Sequence, residues 1–167
     1  MCVWGAVVCL SACGFHLRGD SRLPPEMAHS FIQTASPDSD LLLELRRALR
    51  SNGIVIVDDE AEADSVLRIL QEQQNRRVLS VDERGRAREY ELSYSVTFDV
   101  VGRGGNSHFQ MPKQNLSLKR DFLFDTEGVL GKGREEQVLV RDMQRDVVRL
   151  ILLRLQSLVD EGRERIP

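Results

Sequence analysis

The stretch "YELSYSVTFDV", Tyr90 to Val100, decides how this chain folds. Tyr90, Leu92, Tyr94, Val96, Phe98 and Val100 alternate with Glu91, Ser93, Ser95, Thr97 and Asp99. Successive side chains of a strand point to opposite faces, so this period of two predicts a strand with one buried face and one wet face. Upstream, "DERGR" (82–86) predicts a turn, with Gly85 free to take a positive φ. Before that turn, Val66–Val81 predicts a second long strand, though "QEQQNRR" makes its centre unusually polar. Downstream, "GRGGNS" predicts another turn, and Ser107–Phe124 a third strand, interrupted at Pro112. The middle of the chain therefore reads as an antiparallel meander.

Helices flank this meander. "SPDSD" supplies turn and N-cap chemistry ahead of "LLLELRRALRSNG". Asp38 and Asp40 suit the positive end of a helix, and Gly53 suits its C′ position. Leu41, Leu42, Leu45 and Leu49 form one apolar face at helical spacing. A short strand is expected within Met27–Ala35 and another at Ile54–Val57. From Glu135 to Glu161, Val140, Met143, Val147, Ile151, Leu155 and Leu158 recur at steps of three or four, and Leu150, Leu152 and Leu153 widen that stripe. The predicted class is α+β: a two-layer sandwich with both helices on one face of a mostly antiparallel, mixed sheet.

At 167 residues the chain predicts one domain with a core of its own. A net charge of −3 gives no global pull toward nucleic acid. Residues 1–12, "MCVWGAVVCLSA", carry no charge and are too few to span a bilayer as a helix, so they read as a signal peptide. The basic n-region is missing, which places the expected start upstream of Met1. Leu10-Ser11-Ala12-Cys13 then reads as a lipobox. Cys2 and Cys9 leave with the signal, so Cys13 is expected as the first mature residue and the attachment point of a covalent lipid rather than half of a disulfide. Gly14, where an Asp would favour the inner membrane, points to outer-membrane sorting. The expected organisation is a signal at 1–12, a lipidated lead at 13–26, one domain at 27–161 and a tail at 162–167.

Catalytic constellations are missing from the sequence. It contains neither a phosphate-binding glycine loop nor G-x-S-x-G. His16, His29 and His108 have no neighbours at metal-ligand spacing, and "DDEAEAD" (58–64) lacks the glycine of a calcium loop. Neither an enzyme nor a bound cofactor is expected.

"CGFHLRG", Cys13 to Gly19, resembles the mature N-terminus of the LptE family of lipopolysaccharide-assembly lipoproteins. The resemblance continues through "LRSNGI", "EYELSYSV" and "GREEQVLVRDM", in the family's order. It implies two helices on a sheet of about four strands. It also implies residence inside an LptD-type outer-membrane β-barrel, assistance to that barrel's assembly, and contact with lipopolysaccharide. The implied contacts lie at the hairpin tip, Arg84 and Arg86, and in the loop before the last helix, Lys132 and Arg134. Arginine grips phosphate through a planar fork and lysine acts as a point charge. Taken alone, these cations fit equally well a solvated turn whose charges keep strand edges from pairing. A second function is open at this point: a lipid-anchored periplasmic ligand-binding or pump-accessory protein, with a deep apolar pocket between sheet and helices.

Overall fold

The computed structural model describes residues 23–123 and 129–164, with side chains described over 23–123 and 135–159. Cys13 and the signal region lie outside the described residues. The chain runs β1 (His29–Thr34), α1 (Asp40–Ser51), β2 (Val55–Ile56), β3 (Ser65–Val81), β4 (Ala87–Gly102), β5 (Gln110–Leu123) and α2 (Val129–Glu164). The sheet order is β2-β1-β3-β4-β5. β1 is parallel to β2 and β3, whereas β3, β4 and β5 form the antiparallel meander. The sheet thus has five strands where the resemblance implied about four. The additional one, β2, is two residues long and closes the β1–α1–β2 crossover at the sheet margin.

Local chemistry sets the ends of α1. Ser39 Oγ accepts from Leu42 N at 3.2 Å, satisfying one orphan donor of the first turn. At the other end Gly53, at φ +84°, donates to Arg50 O at 3.0 Å, and Ile54 N donates to Leu49 O at 3.1 Å. This pair of bonds is a Schellman stop, which needs the left-handed backbone that glycine adopts without strain.

The core lies between one sheet face and the two helices. On β4 it takes Leu92, Tyr94, Val96, Phe98 and Val100, all nearly inaccessible. Leu41, Leu42, Leu45 and Leu49 of α1 meet Met143, Val147, Val148, Ile151 and Leu155 of α2 over them. Leu153, expected to widen the α2 stripe, instead points outward at 53% exposure. Leu23, which the sequence reading put in the lead, is buried in this core, as is Met27 of the 3-10 turn Pro25–Met27.

β3 has two different halves. As far as Ile69 it is flanked by β1 and β4. Past Ile69, β1 has ended, and the segment from Leu70 to Leu79 is exposed at every position except the half-buried Glu72. This explains the polar "QEQQNRR": the long hairpin projects beyond the five-stranded part of the sheet, where no core demands apolar residues. Pro112 does not end β5. It falls where the β4–β5 register slips between the Val100–Met111 and Phe98–Gln114 pairs, on an edge strand that tolerates a missing donor.

Candidate functional site

The projecting hairpin ends in a turn built by one carboxylate. Asp82 Oδ1 accepts from the backbone N of Arg84 and of Arg86, each at 2.9 Å, and Oδ2 takes Arg86 Nε at 2.8 Å. Gly85, at φ +75°, donates to Asp82 O at 2.9 Å. The Arg86 backbone donor, aided by its guanidinium and by Arg84 N, holds the Asp82 carboxyl below its ordinary value against a smaller desolvation effect.

This arrangement separates the arginines that sequence reasoning grouped together. Arg86 is committed to Asp82 through a 2.8 Å ion pair. Among the described residues nothing engages the side chains of Arg84 and Arg88. Around these free cations stand exposed apolar side chains, Val78, Leu79, Val81 and Leu123. Glu89 is opposite both Ser80 and Leu123, so the end of β5 lies at this same end of the sheet. The tip is amphiphilic: unpaired guanidinium groups beside unpaired aliphatic groups.

The second basic cluster sits differently from expectation. α2 begins at Val129 rather than near Glu135, so positions 132 and 134 belong to its first turns and not to a loop. Glu136, in its second turn, bonds Arg76 Nη1 at 2.8 Å. Arg76 also lies 4.9 Å over the Tyr90 ring, which stacks on Phe122 at 5.6 Å. Arg84 lies beyond the end of β3 at Val81, and position 132 lies about one turn of α2 before Glu136, so Arg76–Glu136 ties the hairpin to the helix between them. Sequence reasoning assigned no role to Tyr90–Arg76–Glu136, because a contact across 60 residues leaves no local pattern.

Beneath that tie a groove of about 510 Å³ opens between α1, α2 and β3. Asp40, Gln74, Glu136, Gln137, Arg141 and Gln144 line it, with Val140. At its side the Tyr94 hydroxyl donates to Glu72 Oε1. Burial first, then the Glu72 carboxylate, pushes the Tyr94 hydroxyl far above its ordinary value. The other Glu72 oxygen is buried without a partner.

The sheet face turned away from the helices is polar. Gln71, Thr97 and Asn115 form one cross-strand row, and Gln73, Ser95 and Ser117 the next. Toward the tip, Glu91 bridges Arg77 at 2.8 Å and Lys119 at 3.4 Å. Toward the base, Arg68 grips Asp99 with two bonds of 2.6 Å. The charges on this face are largely neutralised within it.

Among the described residues no cluster of His, Cys, Asp or Glu could hold a metal ion, and no helix is long and apolar enough to cross a membrane. His29 pairs with Asp64 at 2.8 Å beside the β1 start, an exposed structural contact.

The fold is a two-layer α+β sandwich with a long hairpin, and solved structures of lipoproteins share that fold. Lipoprotein B from Nitrosomonas europaea matches with a TM-score of 0.72 and 28% identity, covering 90% of this chain and 96% of that one. Rare lipoprotein B from Shewanella oneidensis matches with a TM-score of 0.66 and 27% identity, covering 82% and 99%. The LPS-assembly lipoprotein LptE of Photorhabdus laumondii is 26% identical over 160 residues, which is 96% of this chain and 86% of that one. That of Yersinia enterocolitica is 29% identical over 151 residues, 90% and 71%. The family model LptE, Lipopolysaccharide-assembly, matches residues 29–155, and the chain belongs to that family.

Proposed function

We propose that this chain is a lipid-anchored protein of the Gram-negative outer membrane, held through Cys13, that occupies and assists an LptD-type β-barrel and binds lipopolysaccharide on its way to the outer leaflet. The observation that carries the reading is the hairpin tip, where unpaired Arg84 and Arg88 stand beside exposed Val78, Leu79, Val81 and Leu123. A phosphorylated glycolipid has both parts of this chemistry. Its phosphates take the planar fork of arginine, and its acyl chains take the aliphatic side chains. Lys132 and Arg134 would add point charge and fork from the first turns of α2. Arg86, already paired with Asp82, serves mainly to hold the turn in shape.

The neutral, hydrogen-bonding sheet face supports residence in a barrel, whose lumen is polar and wet. No step of this function needs catalysis or a cofactor. The alternative, a carrier of a small apolar ligand, asks for an apolar pocket under the helices. The groove found there is lined by carboxylates, amides and an arginine.

The test is the double variant Arg84→Asp/Lys132→Asp, assayed for lipopolysaccharide binding and for co-purification with a barrel in mild detergent. Binding is expected to fall at least tenfold while the circular dichroism spectrum is unchanged, since such surface changes alter stability by about 0.5 kcal/mol or less. Unchanged binding removes these two residues from the site. Recovery of the wild-type chain without a barrel ends the reading.

A further inference from the structure

The groove between α1, α2 and β3 is built from polar groups that the rest of the fold does not use. Gln137, Arg141 and Gln144 recur along α2 at steps of four and three, which sets them on one face of the helix. Asp40 enters from the first turn of α1 and Gln74 from β3. Among the described residues nothing engages the side chains of Asp40, Gln74, Gln137 or Arg141. Gln144 is 8% exposed, an unusual depth for a glutamine, and lies against the Tyr94 hydroxyl. That hydroxyl is committed to Glu72 Oε1, and Glu72 Oε2 is buried without a partner. Buried polar groups are costly unless they are hydrogen-bonded, and packing gives no reason for these, since Val140 is the one apolar side chain among the described lining residues.

The mixture of donors and acceptors decides what fits. The glutamine amides and Arg141 offer N–H groups, while Asp40 and the amide oxygens accept. A phosphate has acceptors only and gives nothing to the carboxylates. An ammonium ion has donors only and leaves Arg141 and the amide N–H groups unanswered. An acyl chain answers neither. A sugar hydroxyl donates and accepts at one atom, and neighbouring hydroxyls on a ring match the two oxygens of a carboxylate or the oxygen and nitrogen of an amide. The volume of about 510 Å³ falls in the range of small-ligand sites.

We propose that this groove is a carbohydrate-binding site, in which Asp40, Gln74, Gln137, Arg141 and Gln144 hydrogen-bond the hydroxyl groups of a sugar. It is separate from the hairpin tip, whose arginines and aliphatic side chains answer phosphates and acyl chains. Only the source of the sugar rests on the function proposed above: a chain that carries lipopolysaccharide would hold part of the core saccharide here. The glycan of the cell wall offers the same hydroxyl chemistry and is the other source.

The test uses the full lipidated chain in detergent micelles, with the side-chain amide NMR signals of its glutamines as reporters. The probes are the delipidated core oligosaccharide of lipopolysaccharide and a peptide-free glycan fragment of peptidoglycan. At least one is expected to shift the signals of Gln74, Gln137 and Gln144 and to leave those of Gln71 and Gln73, on the opposite sheet face, in place. The glycan that does so names the source. Gln137→Ala/Arg141→Ala, a change of two exposed residues, is expected to weaken that binding at least tenfold with the circular dichroism spectrum unchanged. Binding of lipid A, which has no core saccharide, is expected to be unaffected by the double variant. No shift with either glycan, an equal shift with putrescine or inorganic phosphate, unchanged glycan affinity in the double variant, or an equal loss of lipid A binding overturns the proposal. A wild-type chain that binds neither lipid A nor lipopolysaccharide ends the lipopolysaccharide reading separately, and a groove shift with the cell-wall glycan would still uphold the carbohydrate site.

Discussion

Arg76 lies over the ring of Tyr90 at 4.9 Å, one strand away, and in that position reaches Glu136 of α2 at 2.8 Å. A single guanidinium thereby joins the hairpin to the start of the long helix. Cation–π contacts at exposed sites contribute about 0.5–1 kcal/mol and exposed ion pairs less than about 1. Arg76→Ala should lower global stability by about 1 kcal/mol in urea unfolding. The sharper signal should be faster amide exchange in the first turns of α2, with the helix beyond Met143 unaffected. Equal exchange throughout α2 would show that the tie is not what orders the helix start.

Asp82 organises the hairpin tip through five short bonds to Arg84, Gly85 and Arg86. Its carboxyl is depressed below the ordinary value of 3.8. A depressed carboxyl contributes stability that is complete above its unfolded pKa and is lost as pH falls through the folded value. The tip should therefore loosen only below the ordinary carboxylate range, read by NMR shifts of Gly85. In Asp82→Asn that acid-dependent change should disappear. The same variant should free Arg86 and raise mobility at the turn without unfolding the sheet.

Tyr94 is one of two tyrosines in the chain. Its hydroxyl is raised far above its ordinary value of 10.0, by burial and by the Glu72 carboxylate. A raised group stabilises the fold below its unfolded pKa, and the contribution is lost as pH rises through the folded value. Ultraviolet titration of the native chain to about pH 11 should show no more than one tyrosinate, with the second appearing on unfolding. Two tyrosinates in the folded chain would overturn the burial of that hydroxyl.

Gly102 closes β4 where the chain turns back through the 3-10 turn Gly104–Asn106. A Cβ there would fall on the carbonyl oxygen of Asn106 and within 2.8 Å of Phe109 O. Both are backbone atoms, so neither can swing aside. Gly102→Ala should cost about 1–3 kcal/mol, the range for overpacking that moves backbone, seen as a lowered thermal midpoint. Gly105→Ala, which meets nothing within 4 Å, is the control and should be near neutral.

Much of the fold was legible because its signals are local. Period two across Tyr90–Val100 needs only neighbouring residues to declare a strand, and five of its six predicted inward side chains are buried; of the predicted wet face, Thr97 and Asp99 are buried as well, bonded to Asn115 and Arg68 of the neighbouring strands. "SPDSD", Gly53 and the leucines at 41, 42, 45 and 49 specified α1 from cap to stop, and the structure picks Ser39 within that run as the cap. The start of α2 was not legible. "LGKGREE" carries two glycines that depress helix propensity, so nothing in the sequence signals that α2 begins as early as Val129. β2 was legible as the β-branched run Ile54–Val57, of which the sheet pairs Val55 and Ile56.

The candidate site divides along the same line. The sequence shows that cations cluster at a turn and that Cys13 follows Leu10-Ser11-Ala12, and the family match rests on residues 29–155. Which of those cations are free is set by folding. Arg84, Arg86 and Arg88 are equivalent as letters, and Asp82 alone, by folding back on Arg86, removes one of them from service. Folding also makes β3 outrun β1 and leaves its outer edge unpaired past Ile69, a property of strand order rather than of any residue. Side-chain period and caps act over a few residues and are written in the chain. Pairing between distant strands depends on which of many closures buries the most apolar surface, and that choice belongs to the whole fold.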